Sequence, residues 1–315
     1  MVTENTQILR TQIVTKYSFY ILIFILLFAG CQRSKEKQNV TSALSGEVVI
    51  AADESLRSMV DAQIDIFQSI YIYAKIDCSY LTENDAIKLL LDEKIRLAIV
   101  ARPLNQDEIT FFESKSLAPL SFPIANDAVA VIVNNENAID SLSIEQLTGI
   151  LSGKFTNWSQ VGGKNSEILQ IFDSESSGII RSLNDSLKLN NKISGHISFA
   201  GNSQLLPDLV MGNPNAIAFI GLNLISEKEH RTVQKILKQI KVIAVDGEYP
   251  SQENLYEGNY PLIRKIYGLY TDPTGGISKG FLTHLATERG QKITYRIGLK
   301  PEFDFQRLVQ IKVVD

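Results

Sequence analysis

The chain has 315 residues, of which 44% are hydrophobic, and it carries a formal net charge of −4. That length suffices for one large folded domain or two moderate ones, each with its own core. The lack of a basic excess argues against a general nucleic-acid-binding protein. With three histidines and two cysteines, neither a metal site nor a Cys/His nucleophile is expected, and no cofactor is indicated.

The N-terminal segment has the pattern of a targeting signal. The apolar stretch FYILIFILLFAG, Phe19–Gly30, follows two basic residues and ends at Cys31. Its 12 residues are too few to span a bilayer, which takes about 20, but they suit a signal peptide. The sequence LFAGC resembles a bacterial lipoprotein lipobox. We predict a signal peptide over residues 1–30, a lipid on Cys31, and a flexible tether over 31–46. An uncleaved anchor helix is the alternative.

The folded part is predicted to begin with a strand–helix unit. EVVIAA, Glu47–Ala52, indicates a buried strand, and apolar residues at 3.6-residue spacing from Leu56 to Ile70 predict an amphipathic helix. A strand near 75–80, a second helix and the strand RLAIVA follow. This alternation predicts a parallel sheet flanked by helices. Ligands of such sheets bind beyond the carboxyl ends of the strands.

A second α/β unit is predicted after NDAVAVIVN, residues 126–134. Ser143 and Gln146 form a capping-box pattern at the start of a helix. Strands at ILQIFD and NAIAFIGLN, a helix near 226–239 and the strand KVIAV continue the unit. A polar loop then precedes the strand YPLIRKIYGLYT and a late helix. The pattern leaves open whether these last elements return to the first unit.

The stretch FDSESSGIIRSL, Phe172–Leu183, places small polar residues between a predicted strand and a helix. The unpaired N–H groups of a helix start and its dipole favour an anion, and Ser176, Ser177 and Gly178 add donors without bulk. The alternative is an ordinary serine N-cap in which nearby acidic residues offset the dipole.

The turn DESL, Asp53–Leu56, repeats this arrangement after the first strand. Two such helix starts that face one cleft would form a clamp around one ligand. The candidate ligand-binding residues of this turn are Asp53, Glu54, Ser55 and Leu56.

Two arginines offer positive charge for the same ligand. Arg102 follows the strand RLAIVA, where it could pair with an anion or form a structural ion pair with Glu83 or Asp53. Arg181 lies in the first turn of the predicted helix after Gly178, a position that is unfavourable for a cation unless an anion is near. Its alternative is exposure to solvent.

These segments together resemble the phosphate-type substrate-binding proteins of bacterial ABC transporters, which have the type 2 periplasmic-binding-protein fold. The similarity is closest to Bacteroidetes-like lipoproteins and covers about Glu47 to the C-terminus. It is carried by ADESLRSMVDAQ with the residues up to RLAIVARPL, and by IANDAVAVIVN, FDSESSGIIRSL, NAIAFIGLN and YPLIRKIYGLY. The most specific segment is LTGILSGKFTNWSQVGG, for which no chemical role follows from its residues.

The resemblance implies an α/β, two-lobed clamp, each lobe a mostly parallel sheet with flanking helices. Residues 47–126 with 261–315 would form lobe 1, and 127–260 lobe 2. The ligand, phosphate or a related small anion, would lie between the lobes against Asp53–Leu56, Arg102 and Ser176–Gly178. Such a protein would be a monomer, lipid-anchored on the periplasmic side of a bacterial envelope membrane, that delivers its ligand to an ABC permease.

The chain departs from the family pattern at the site. Asp173 stands where phosphate binders of this type carry an arginine, Glu175 replaces an aspartate and Ile179 replaces a threonine. Arg102 replaces the aspartate that accepts a phosphate proton. Arg102 and Arg181 would then restore the positive charge in another geometry, and another oxyanion or anionic metabolite stays open as the ligand.

Two other functions are alternatives to solute capture. A serine hydrolase would need a nucleophile elbow of the Gly-x-Ser-x-Gly type, which SESSG is not, and the three histidines lack a context that suggests a base. The chain is therefore not expected to be an enzyme. A sensing or interaction lipoprotein that keeps the clamp without transport stays open.

Overall fold

The computed structural model describes residues 42–190, 193–272 and 274–303. The predicted signal peptide, the predicted lipid site Cys31 and most of the tether lie outside these residues, as does the C-terminal end of the predicted first lobe.

The first lobe begins with the predicted alternation of strands and helices. Strand β1 pairs in parallel with both β2 and β3, and helices follow each strand. The bounds are β1 Gly46–Asp53, α1 Arg57–Ile70, β2 Ala74–Leu81, α2 Glu83–Leu91, β3 Leu97–Val100 and α3 Gln106–Ser114. The carboxyl ends of β1, β2 and β3 therefore lie at one edge of the sheet, where the ligand site was expected.

Strand β4, Leu120–Asn134, belongs to the sheets of both lobes. Its first part pairs with β10 and its last part, from Val129, pairs with β8 and β9. The sequence predicts a strand only over residues 126–134. The register shifts between Ile266 and Tyr267, where Ile124, next to Pro123, is the extra residue of a bulge.

The second lobe is built on β8, β6 and β7, which run parallel, and on β4, which lies between β8 and β9 and pairs antiparallel with both. Its elements are β5 Ser141–Leu142, α4 Ile144–Leu151, β6 Leu169–Phe172, α5 Gly178–Leu187, β7 Ile197–Phe199, α6 Leu206–Met211, β8 Ala216–Gly221, α7 Arg231–Gln239, β9 Ile240–Val245 and α8 Gln252–Glu257. The capping box of Ser143 and Gln146 at the start of α4 is confirmed.

The last elements return to the first lobe. Strand β10, Ile263–Tyr270, lies between β3 and β4 and pairs antiparallel with both. Helices α9 Ile277–Ala286 and α10 Glu288–Arg296 and the short strand β11 Lys300–Pro301 follow. The two-lobed α/β class is confirmed, with sheets of mixed direction. The exact lobe boundaries at 126/127 and 260/261 stay predictions.

Four helices, α3, α6, α8 and α10, were not predicted from the sequence, and one helix is shorter than expected. Helices α3, α6 and α10 lie in segments without a clear apolar period, and α8 lies inside the predicted polar loop. The helix expected from residue 226 begins only at Arg231. Among residues 42–190, 193–272 and 274–303, no helix has the length and apolar character needed to cross a membrane.

Tyr260 joins the two strands that connect the lobes. It is buried, and its hydroxyl donates a hydrogen bond of 2.8 Å to the carbonyl of Val129, where β4 enters the second sheet. The N–H of Val129 in turn donates to the carbonyl of Leu262 at 2.9 Å.

We expect Tyr260→Phe to lower the free energy of unfolding by about 1 kcal/mol, because it removes one buried hydrogen bond without a change of ring packing. Urea unfolding followed by circular dichroism measures this. Tyr249→Phe, at a half-exposed tyrosine in the second lobe, is the matched control and should leave the midpoint unchanged. Equal midpoints for both variants and the parent would contradict the role of the Tyr260 hydroxyl.

Candidate functional site

The turn after β1 brings a carboxyl and a hydroxyl group to the edge of the first sheet. Oδ1 of Asp53 accepts a hydrogen bond of 2.8 Å from the N–H of Ser55 and so caps the single turn of 3-10 helix that precedes α1. Both residues are buried. Such a cap follows directly from an aspartate placed two residues before the N–H it accepts.

The turn before α5 forms in the same way. Ser177 is the N-cap, and its Oγ accepts a hydrogen bond of 3.0 Å from the N–H of Ile179. Gly178 is the first residue of the helix, and both Ser177 and Gly178 are buried. The ordinary serine N-cap, which is the alternative to an anion-binding turn, is therefore present.

The two turns meet at Gly178. A Cβ atom added there would lie 2.0 Å from Oδ2 of Asp53 and 3.2 Å from Oε2 of Glu83, so only glycine allows this approach. Oδ2 of Asp53 is buried and has no hydrogen-bond partner within the described residues. The two helix starts, one from each lobe, thus converge on one place.

Arg181 crosses from the second lobe to the first. Its Nε donates to Oε1 of Glu83, and its Nη2 lies 3.2 Å from Oε2 of Glu83 and 2.8 Å from the carbonyl of Ala101. Nη1 pairs with Asp185 on the next turn of α5 at 2.7 Å. The anion that a cation in the first helical turn requires is therefore Glu83.

Arg102 forms a structural ion pair. Its two terminal nitrogens lie 2.8 Å and 2.7 Å from the carboxylate oxygens of Glu108, and its Nε lies 3.7 Å from Glu83. The bidentate geometry is the strong form of this interaction. Of the two structural partners considered from the sequence, Glu83 is in range, but Glu108 takes the hydrogen bonds.

The three other candidate residues have different surroundings. Glu54 pairs with Arg57 at 2.7 Å, and the side chain of Leu56 is fully buried in the core, so only the backbone of Leu56 could reach a ligand. Ser176 is exposed.

A buried network below the turns was missed from the sequence. Arg264 on β10 donates to Oδ2 of Asp127 from Nε at 3.0 Å and from Nη2 at 2.7 Å, and to Oγ of Ser55 from Nη1 at 2.9 Å. Asn223, after β8, donates to Asp127 at 3.0 Å and to the carbonyl of Ser55 at 2.8 Å. The network therefore ties the first turn to both lobes.

The sequence signal for this network was the presence of charged residues inside two apolar strand patterns. Arg264 and Lys265 are adjacent, so one of them must face inward. Asp127 stands in NDAVAVIVN, and a buried cation usually has such a partner. The pairing itself joins residues 137 positions apart, which no local pattern shows.

Burial changes the acid–base behaviour of the carboxyl groups at this contact. It raises the pKa of Asp53 to about 7, with the charges of Glu83 and Asp173 adding to the rise and that of Arg264 opposing it. Burial also raises the pKa of Asp173, against the effect of Ser177. Neutralisation of a buried carboxyl is the usual response to desolvation near like charges.

Two cavities of opposite charge lie between the lobes. One, of about 540 Å³, is lined by Arg102, Arg181, Arg264 and Lys265, with Asp185 its one acid among the described residues. The other, of about 550 Å³, has a lining with more acids than bases: Glu54, Asp85, Asp173 and Arg57. Ser55 and Ser177 line neither cavity. An anion would enter the first cavity, since it is the one that carries positive charge.

Comparison with known proteins places this arrangement in a family. The model of the PBP superfamily domain matches residues 37–289. The phosphate-binding protein PstS of Borreliella burgdorferi is 25% identical over 255 residues, which cover 78% of this chain and 84% of that protein.

Two solved structures share the fold. A substrate-binding protein from Clostridium perfringens with bound phosphate superposes with a TM-score of 0.69 at 22% identity, over 81% of this chain and 99% of that one. An ABC-type phosphate transport receptor from Vibrio cholerae gives a TM-score of 0.62 at 23% identity, over 80% and 99%.

Asp53 should make the stability of the protein depend on pH. The pKa of this carboxyl is raised from 3.8 to about 7, so between these values the folded chain holds a proton that the unfolded chain has released. Its contribution is therefore fully present below about pH 4 and falls as the pH rises to about 7, by at most about 1.4 kcal/mol per pH unit.

Asp53→Asn should remove this dependence. The free energy of unfolding of the variant, measured by urea titration, should rise relative to that of the parent between pH 4.5 and pH 7.5. Asp77→Asn, at an exposed carboxyl of β2, is the control for a loss of charge. A difference between Asp53→Asn and the parent that stays constant over this range would contradict the raised pKa.

Proposed function

The chain belongs to the PBP superfamily, and on that premise we propose that it captures phosphate or a related small anion between its lobes and delivers it to an ABC permease. The observation that carries the proposal is the cavity of about 540 Å³ lined by Arg102, Arg181 and Arg264. These arginines come from both lobes, so an anion between them would favour the closed arrangement. The names of the relatives support phosphate as that anion.

The chemistry of the cavity suits a tetrahedral oxyanion. Guanidinium groups bind phosphate oxygens through charge-assisted and often bidentate hydrogen bonds. Ser182 and Ser186 of α5 line the same cavity, and their hydroxyl groups are possible neutral donors. We propose binding rather than catalysis, because this arrangement holds an anion and includes no nucleophile paired with a base among the described residues.

Calorimetric titration of the full chain in detergent with phosphate, sulfate and small carboxylates tests the proposal. We expect phosphate to bind and the other anions to bind more weakly. No heat with phosphate at millimolar concentration would contradict the function, whereas preference for another anion would correct the ligand.

Closure of the lobes should depend on Gly178. Gly178→Ala should weaken phosphate binding by about tenfold or more, because the new methyl group would collide with Asp53 and keep Arg181 away from the first lobe. Gly212→Ala, at the end of α6 where a Cβ has room, is the matched control. Equal phosphate affinity of Gly178→Ala and the parent would show that closure is not needed.

We also propose that the protein is a monomeric lipoprotein, held by a lipid on Cys31 on the periplasmic side of a bacterial envelope membrane. The LFAGC sequence supports this. A chain bound to a permease needs such a position, and a tether of about 15 residues reaches at most roughly 50 Å.

Metabolic labelling with a palmitate analogue tests the anchor. The parent and Cys78→Ser should carry the label and sediment with membranes, and Cys31→Ser should lose both properties. A labelled Cys31→Ser variant would contradict lipidation at Cys31. An unlabelled variant that still sediments with membranes would favour the anchor helix instead.

A further inference from the structure

Glu83, the first residue of α2, is a buried carboxylate that receives hydrogen bonds from both lobes. It is 1% exposed. Its Oε2 accepts from the N–H of Ala101 at 3.0 Å and from Nη2 of Arg181 at 3.2 Å, and its Oε1 accepts from Nε of Arg181. A carboxylate accepts about four such bonds, so Glu83 is well satisfied.

The donors to Glu83 are those that an anion in this cleft would use. Ala101 supplies the N–H at the end of β3, Arg181 supplies the guanidinium from the opposite lobe, and Arg102 lies 3.7 Å away. The start of α5 is close as well, since a Cβ on Gly178 would be 3.2 Å from Oε2. Glu83 thus occupies the position of a ligand.

We infer that Glu83 acts as an internal anion that holds the lobes together and competes with the free ligand for Arg181. The inference rests on the proposed capture of an anion by this cleft. A free anion binds only after Arg181 exchanges Glu83 for the ligand, so the apparent affinity is lowered by the fraction of molecules in which Arg181 is available.

Arg181 is the arginine of the cavity at which this exchange takes place. Its side chain is 27% exposed, against 17% for Arg102 and 2% for Arg264. Arg102 is held by Glu108 of α3, and Arg264 is held by Asp127 of β4. The contact between Arg181 and Glu83, in contrast, spans the cleft and breaks when the lobes separate.

Glu83→Gln in the full chain tests the inference. Glutamine keeps the size of the side chain and an oxygen that can accept from Ala101, but it removes the charge that binds Arg181. We expect phosphate, titrated calorimetrically at fixed ionic strength in detergent, to bind Glu83→Gln about tenfold more tightly, which corresponds to about 1.4 kcal/mol.

Asp92→Asn is the matched control. Asp92 caps the other end of α2, is exposed and lies 3.4 Å from Lys94, so its loss changes the net charge equally without a change at the cleft. Its phosphate affinity should equal that of the parent. If the parent binds phosphate and Glu83→Gln binds it equally or more weakly, Glu83 is not a competitor, and a weaker affinity would make it a ligand contact.

Hydrogen exchange of the ligand-free proteins separates this inference from the choice of phosphate. In Glu83→Gln, the segments 97–104 and 174–183 should take up deuterium faster than in the parent or in Asp92→Asn, because the contact between the lobes is lost. Unchanged uptake in both segments would overturn the inference. Faster uptake with no phosphate binding by any of these proteins would uphold the internal contact and refute phosphate as the ligand.

Discussion

The cleft depends on one buried ion pair, between Arg264 and Asp127. Their side chains are 2% and 0% exposed, and the residues lie directly opposite each other where β10 and β4 run side by side. Removal of one partner from such a pair costs roughly 3–5 kcal/mol, because the other charge is left buried. The pair also holds Ser55 of the first turn and Asn223 of the second lobe. It therefore fixes the geometry in which the two helix starts meet.

Charge at the site is balanced before any ligand enters. A site that captures an anion usually offers positive charge without a fixed partner. Here each arginine of the positively charged cavity has a carboxylate partner in the pairs Arg102–Glu108, Arg181–Glu83 and Arg264–Asp127. An added anion must therefore replace a carboxylate or share its cation. Asp53 and Asp173 take part in none of these pairs, and burial raises the pKa of both carboxyl groups.

Local chemistry made part of this site predictable from the sequence. Asp53 and Ser177 cap the helical segments that follow them through hydrogen bonds to N–H groups two residues away. The local pattern of strand, polar residue and helix was therefore sufficient to predict these two turns. The partners of Arg181 and Arg264 lie 98 and 137 residues away, and their pairing depends on how the lobes pack. In the fold, the α/β alternation of the first lobe is confirmed. Strand β4 begins at Leu120, before its predicted start, and continues through a bulge beside Pro123 that the apolar pattern does not show.

A competing carboxylate also affects which ligands can bind. Glu83 offers two oxygens in one plane, and it already uses both on Arg181. A small monocarboxylate would replace these bonds one for one and would gain little, since the internal group is present at high effective concentration. A tetrahedral oxyanion has further oxygens outside that plane, which could share the guanidinium groups of Arg102 and Arg264, because these line the same cavity as Arg181. The additional charge-assisted bonds give it an advantage that a planar carboxylate lacks. Competition by Glu83 therefore favours phosphate-like anions over carboxylates, even though each donor of the site can bind an oxygen of either kind of anion.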